Sequence, residues 1–189
     1  MKRDGTSRVA VILTIICFFV VGASVLFAGQ PNGKATPKKM NGTWSSIVTI
    51  PPNDILGNPV PVDLPELDTF STAGTAITGA GASVMPMTLD EGFFLASLSI
   101  GQGNWKMAGG NFFVMTQWRF LTDLNTGELF GYLKVMAEWS LVDRNTAAGE
   151  YEVHILQLDM VTPFHSVGGD PAVVGGPFYM WRLPVEPLP

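Results

Sequence analysis

The chain has 189 residues, 47% of them apolar, which is enough for one domain with a full core. Frequent glycine and proline together with few charged residues are typical of a turn-rich all-β protein and disfavour a helical one. From Thr43 onward 15 acidic residues stand against 5 basic ones, which argues against nucleic-acid or anionic-membrane binding, since both require a basic patch.

The N-terminal segment consists of a short basic leader and an uncharged run over residues 9–28. This run is long for the apolar part of a cleaved signal (about 7–15 residues) and just long enough to span a bilayer (about 20). Residues 1–28 are therefore predicted to form a hydrophobic helix that is either a signal peptide or a membrane anchor. Both alternatives place the rest of the chain outside the cytoplasm, periplasmic or secreted, with membrane contact only through residues 9–28.

The remainder divides into a flexible polar linker, residues 29–41, and a β-barrel domain, residues 42–189. The single cysteine, Cys17, lies in the N-terminal run. No disulfide and no cysteine-based metal site is therefore predicted in the domain.

The first half of the domain predicts short strands and long connections. Thr43–Ile50 is β-prone and ends at two prolines, and residues 53–65 are predicted as loop. Ser71–Gly74 predicts a hairpin turn between two short strands. Residues 84–101 leave two alternatives open, a short helical turn following Asp90 or an apolar flap over the mouth of a barrel.

The second half predicts a three-stranded meander over Asn111–Thr122, Glu128–Val142 and Glu150–Met160. Its two turns share an Asp-x-Asn-Thr pattern in which Asp and Asn cap the turn. Phe178–Leu183 predicts a closing strand. The total of about eight strands predicts an antiparallel up-and-down barrel, which can close around side chains or one small ligand.

Side chains alternate between the two faces of a strand, so tight turns would fix which residues point inward. Such turns would pair Trp118 with Leu133 and Trp139 with Val153. The interior would then carry aromatic residues that either line an apolar cavity or simply fill the core. The predicted ligand-lining residues are Phe112, Thr116, Trp118, Phe120, Trp139, Tyr151, Gln157 and Asp159. The last two would either hold a polar head group or lie on a solvated rim.

The opposite face of the meander would mix aromatic residues such as Phe113 with charged residues. It would pack either on another subunit of a homo-oligomer or under loops and the proline-rich segment. The same pairing would set His154 opposite Glu138, either as a proton-transfer pair or as an ordinary surface ion pair.

Gly42-Thr43-Trp44 at the start of the first strand resembles the Gly-x-Trp signature of the lipocalins and the wider calycins. Arg182 in the last strand resembles the arginine that stacks on that tryptophan. Thr122-Asp123 is similar to their Thr-Asp-Tyr turn motif, with Leu124 in place of the aromatic. The rhythm of strands over residues 42–183 also resembles that of allene-oxide-cyclase-like barrels. The resemblance implies binding of an apolar ligand, and closure of one barrel end by Trp44 and Arg182 through cation–π packing.

The sequence carries no phosphate-binding loop, nucleophile elbow or zinc motif, so no catalytic residue, metal or cofactor is assigned. The predicted function is an exported lipocalin-like barrel that binds a small apolar molecule. Two alternatives stay open. One is a barrel enzyme of the cyclase or isomerase type that uses Gln157 and Asp159, and the other is a membrane-tethered interaction module.

Overall fold

The computed structural model describes residues 37–80 and 84–184. The predicted N-terminal helix, Cys17 and most of the predicted linker lie outside the described residues. Among the residues described, no helix is long and apolar enough to cross a membrane. A helical turn α1 (Pro37–Met40) precedes the strands. The strands are β1 (Gly42–Ile50), β2 (Val62–Phe70), β3 (Thr75–Ala80), β4 (Val84–Leu89), β5 (Gly92–Leu98), β6 (Gly101–Gly109), β7 (Phe112–Asp123), β8 (Leu129–Leu141), β9 (Thr146–Leu156) and β10 (Val173–Arg182).

These ten strands occupy eight strand positions around the sheet, because two positions are each shared by two consecutive strands. Strands β5 and β6 both pair antiparallel with β7, at Leu98 with Leu121 and at Gln102 with Trp118, so they are two parts of one bent strand. In the same way β3 pairs with β6, and β4 pairs with β5. The sheet closes because β7 also pairs with β8. The predicted eight-stranded antiparallel up-and-down barrel is therefore confirmed.

Two predicted connections are strands. Strand β2 begins at Val62, inside the segment predicted as loop. Residues 84–101 contain neither a helical turn nor an irregular flap, because β4 and β5 form a hairpin with Asp90 and Glu91 at its tip. Met87 and Leu89 of β4 are buried with a spacing of two residues, which is the period of a strand.

The inward face of β7 is the reverse of the predicted one. The β7–β8 register shifts between Leu121 and Thr122, so that Trp118 pairs with Lys134 instead of Leu133. A bulge of one residue exchanges the two faces of a strand. The buried residues of β7 are Phe113, Met115, Gln117, Arg119 and Leu121. Phe112, Thr116, Trp118 and Phe120 alternate with them on the outer face, and Phe120 is 55% exposed.

The β8–β9 register differs from the predicted one by four residues. Trp139 pairs with Gly149, and Val135 pairs with Val153. The cause is a tighter turn, in which the Asp143 carboxylate accepts hydrogen bonds from the backbone of Asn145 and Thr146 at 2.6 and 2.8 Å. Because a shift of four is even, the inward face of β9 is the predicted one.

The core consists of two apolar clusters, one at each end of the barrel. The tryptophan end contains Trp44, Trp105 and Trp139 with their neighbours. The loop end contains Ile50, Met87, Leu121, Ile155 and other aliphatic residues. Two connections reach the loop end, since Ile55 of the β1–β2 loop and Phe164 of the β9–β10 loop are both buried there.

At the tryptophan end the Arg182 guanidinium lies 4.5 Å from the centre of the Trp44 ring. Arg182 also donates hydrogen bonds to the carbonyl oxygens of Asn41, at 2.6 Å, and Lys39. The Trp44 indole donates to the carbonyl of Met40 at 3.0 Å. The cation and the ring thus bind the segment that precedes β1 to the end of the barrel. Gly42 has a φ of +123°, which side chains other than glycine rarely adopt.

Candidate functional site

The candidate site is a cavity of about 110 Å³ inside the barrel, between the two apolar clusters. For comparison, a cavity needs a volume of roughly 10–15 Å³ to hold one water molecule. The walls come from β1, β2, β4, β5 and β7–β10. They are mainly aliphatic, with Phe70, Trp139, Tyr151 and Phe178 as the aromatic members. A space of this size and polarity is suited to an apolar group larger than a water molecule.

One part of the wall is polar, although it is buried. Arg119 of β7 is 4% exposed and donates from Nη2 to Glu66 Oε1 of β2 at 2.8 Å. The Asp68 carboxylate accepts hydrogen bonds from the hydroxyls of Ser46 and Thr78, at 2.7 and 2.6 Å. Two carboxyl groups on the inward face of β2, those of Glu66 and Asp68, therefore lie near a single guanidinium group, that of Arg119.

Burial controls the ionisation of both carboxyl groups. Desolvation raises the pKa of Glu66 above its ordinary value, and the Arg119 cation opposes this only in part. Desolvation likewise raises the pKa of Asp68, against the hydrogen bonds from Thr78 and Ser46. Each carboxyl group therefore holds its proton to a higher pH than it would in solvent. The pKa of Tyr151 is also raised, by burial first and then by the nearby Glu66.

Some buried polar atoms of this region have no partner among the described residues. They are Gln117 Oε1, Arg119 Nε and Trp139 Nε1. Gln117 and Arg119 fit on the inner wall because the neighbouring strand β6 carries glycine there. Gly103 pairs with Gln117, and a Cβ built on Gly101 would stand 2.6 Å from Gln117 Oε1 and 3.1 Å from Arg119 Nε.

The structure brings two of the predicted lining residues, Trp139 and Tyr151, to the cavity wall. Four others, Phe112, Thr116, Trp118 and Phe120, are on the outer face because of the β7 bulge. Gln157 and Asp159 lie beyond the end of β9, and neither lines the cavity. The Asp159 carboxylate instead caps a turn by accepting hydrogen bonds from the backbone of Val161 and Thr162 at 2.9 and 2.8 Å.

The predicted His154–Glu138 pair is wrong. His154 pairs across the sheet with Lys134, and its ring contacts Glu152 of its own strand. This contact is on the outer surface, where an ion pair contributes little. Over residues 37–80 and 84–184, no group of three or more His, Cys, Asp or Glu side chains is arranged to hold a metal ion.

The predicted lining residues do not include Glu66, Asp68, Gln117 or Arg119. A signal for two of them was available, since Leu64, Glu66, Asp68 and Phe70 alternate along β2 and must share one face. Glu66–Phe70 is the short strand predicted before the Ser71–Gly74 turn. Its alternation places the two acids on the same face as the apolar Phe70. No local signal was available for Gln117 and Arg119, because only the bulge determines which way they point.

Comparison with protein-family models, with curated proteins and with solved structures finds no match to this chain.

Proposed function

We propose that this chain is an extracytoplasmic, lipocalin-like barrel that binds a small apolar molecule in its interior. The observation that supports the proposal is the cavity of about 110 Å³, whose walls are mainly aliphatic and aromatic. Moving apolar surface out of water contributes roughly 25 cal/mol per Å². The apolar run over residues 9–28 supports the extracytoplasmic location.

The direct test is saturable binding of fluorescent fatty-acid or terpenoid probes to the purified full-length chain. Binding would raise the emission of the probe and quench tryptophan fluorescence, since the Trp139 ring lines the cavity. An absence of saturable binding across the whole panel of probes would refute the proposal.

A pair of variants on β8 locates the binding site. Val135 lines the cavity and Met136, the next residue, faces outward. Val135→Trp fills the cavity and is expected to weaken probe binding by about tenfold or more, which corresponds to about 1.4 kcal/mol. Met136→Trp adds the same ring to the outer surface and is expected to leave the affinity unchanged. Equal affinity in both variants would place the bound probe outside the barrel.

A second candidate function is a barrel enzyme that moves a proton within its ligand. The version that relied on Gln157 and Asp159 is not supported, because neither residue lines the cavity. Glu66 and Asp68 do line it, and a raised pKa near a cavity is a feature of general acid–base groups.

Heavy water tests this second function. A carboxylate that removes a carbon-bound proton from the ligand and returns a deuteron would exchange the two isotopes at one position. The exchange is followed by NMR of a bound ligand with wild-type protein and with Asp68→Asn. Exchange that is lost in the variant, while ligand affinity is kept, would establish the enzyme. Equal exchange with wild-type, variant and no protein would leave the barrel as a binding protein.

A further inference from the structure

The hydrogen-bonded wall of the barrel is interrupted between β2 and β4. Residues 62–65 of β2 pair with β1 on one side, and β3 pairs with β2 over residues 66–70. Strand β4 pairs with β5 along its whole length. Over residues 37–80 and 84–184, no strand pairing joins residues 62–65 to β4. We call this interruption the β2–β4 gap.

Prolines on both sides of the gap disfavour its closure by an added strand. Pro65 and Pro86 have no N–H to donate to a neighbouring strand, and both are exposed. The N–H of Thr88 donates to the Ile55 carbonyl at 2.6 Å, and therefore points away from β5. Alternation along the strand turns the nitrogen of Pro86 to the same side. The gap is thus poorly suited to a partner strand, which needs a row of free donors and acceptors.

The side chains beside the gap also line the cavity. Leu64 of β2, Met85 of β4 and Leu56 of the β1–β2 loop all belong to the cavity wall. All three are only partly buried. The apolar lining of the cavity therefore continues through the gap to the surface.

The cavity is too small to enclose a long chain. An apolar cavity of about 150 Å³ holds one benzene molecule. On that scale the cavity of about 110 Å³ holds roughly four or five carbon atoms. A longer alkyl chain can therefore enter only with its end, and the remainder of the molecule must lie in the gap or outside it.

The surface around the gap is acidic. Its exposed charged residues are Asp54 of the β1–β2 loop, Asp63 of β2, and Asp90 and Glu91 after β4. Residues 51–65 and 84–91 contain no lysine and no arginine. A head group outside the gap therefore meets a negative potential, which favours a cation over an anion.

We propose that the cavity takes the tail of a single-chain amphiphile, inserted through the β2–β4 gap, and leaves its cationic head group outside at the acidic surface. This inference rests on the proposed function, since it names the class of molecule that the same cavity takes and the direction in which the molecule enters.

The test compares ligands with chains of equal length and different ends. Decyltrimethylammonium has a cationic head and a free tail, decamethonium has the same cation at both ends, and decanoate has an anionic head. Calorimetric titration of the full-length chain, below the micelle concentration of each ligand, measures the affinities. Decyltrimethylammonium is expected to bind about tenfold more tightly than decamethonium, which can insert an end only by burying a charge.

The anionic ligand tests the charge of the head group. At low salt, decanoate is expected to bind about threefold more weakly than decyltrimethylammonium, and this difference should shrink at high salt as the surface charges are screened. Decanoate as the tightest ligand, or equal affinity of decyltrimethylammonium and decamethonium, would overturn the inference.

Variants on β2 assign entry to the gap. Leu64→Trp narrows the gap and is expected to weaken binding of decyltrimethylammonium by about tenfold. Leu67→Trp adds the same ring to the outer face of the same strand, where Leu67 is 53% exposed, and should leave the affinity unchanged. Met85→Trp narrows the gap from β4 and serves if Leu64→Trp does not fold. Unchanged affinity in the folded inner variant would contradict entry through the gap.

A nitroxide on the ammonium group of the decyl ligand locates the head group. It should broaden the backbone amide NMR signals of residues 62–64 and of β4, which border the gap. The signals of the turn at residues 71–74, at the tryptophan end, should stay sharp. Broadening at that turn and not beside the gap would place the head group at the wrong end of the barrel for this proposal.

The two proposals fail in different ways. If neither the fluorescent probes nor decyltrimethylammonium bind, the proposed function falls and the inference falls with it. If the probes bind and Val135→Trp blocks them, but decyltrimethylammonium binds no better than decamethonium, the proposed function stands and only the tail-first entry of a cationic amphiphile is lost.

Discussion

Gly103 is the cross-strand partner of Gln117, and a Cβ added to Gly103 would stand 2.6 Å from the Cβ of Gln117. Two residues further along the inner face, Gly101 leaves the space that the ends of Gln117 and Arg119 occupy. These glycines allow two long polar side chains to lie against the inner wall of a narrow barrel. The two positions differ, however, in what an added methyl group would meet.

Alanine at these two glycines is expected to have different effects. At Gly103 the methyl group would meet the backbone of β7, which cannot move independently, so Gly103→Ala should destabilise by about 1–3 kcal/mol. At Gly101 it would meet the end of the Gln117 side chain, which can rotate away, so the loss should stay below about 1 kcal/mol. Urea unfolding of both variants measures the difference. Equal losses would show that the two sites are equally tight.

Removal of the buried cation should be one of the most damaging single changes. Arg119→Met leaves Glu66 and Asp68 buried without a counter-charge, and is expected to cost about 3–5 kcal/mol near neutral pH. The double variant Arg119→Met with Glu66→Met removes both partners, and should recover most of this loss because an apolar pair replaces an ionic one. Chemical unfolding of the single variants and the double variant measures the coupling. Additive losses would mean that the two side chains do not interact.

The ionisation of Asp68 predicts a specific dependence of stability on pH. Its native-state pKa is raised above the ordinary 3.8, so the folded chain holds a proton that the unfolded chain releases. The free energy of unfolding therefore falls as the pH rises from 3.8 towards the native-state pKa. Asp68→Asn has no such group, so the variant should gain stability relative to the wild type as the pH rises. The measurement is urea unfolding of both proteins across a pH series.

Asp159 supplies the matched control with the opposite sign. The hydroxyl of Thr162 and the backbone of Val161 and Thr162 lower the pKa of its carboxyl group. The stability that this group contributes is present above the ordinary pKa and is lost as the pH falls through the native-state pKa. Asp159→Asn should therefore lose stability relative to the wild type as the pH rises. The same direction in both variants would contradict the difference in burial on which the two predictions rest.

Arg182 is expected to stabilise the tryptophan end. Arg182→Gln removes a cation 4.5 Å from the centre of the Trp44 ring and the hydrogen bonds to the two carbonyls before β1. The loss should be about 2 kcal/mol, measured by thermal or urea unfolding. Lys134→Gln is the control, since the Lys134 amine lies 5.9 Å from the Trp118 ring on the outer face and should contribute less than about 0.5 kcal/mol. A larger loss of stability in Lys134→Gln than in Arg182→Gln would contradict the prediction that Arg182 is the cation that stabilises the barrel.

Local chemistry made the class of fold predictable. The hairpin turn at Ser71–Gly74 and the turns at Asp123 and Asp143 are set by residues that cap or reverse the chain on their own. Alternation along β8 predicted its inward face, and Leu133, Ala137 and Trp139 are buried as expected. The arginine that stacks on Trp44 was named from the resemblance alone, and the two side chains are in contact.

The hairpin formed by β4 and β5 was not predicted, because its apolar residues fit an irregular segment equally well. Its strand conformation depends on neighbours, since Ala96–Leu98 of β5 pairs with β7 and Thr88 of β4 donates to the Ile55 carbonyl at 2.6 Å. Short apolar runs are ambiguous until such partners are known.

The sequence by itself determined an all-β chain, the places where its tight turns begin and the inward face of its longest strand, because each depends on side chains that are near one another in sequence. The tertiary structure alone decided which face of β7 points inward, since the shift between Leu121 and Thr122 arises in pairing with β8. That shift of a single residue moved Trp118 outward and Gln117 and Arg119 inward. The polar side of the cavity therefore depends on strand pairing and could not be read from the order of residues along the chain.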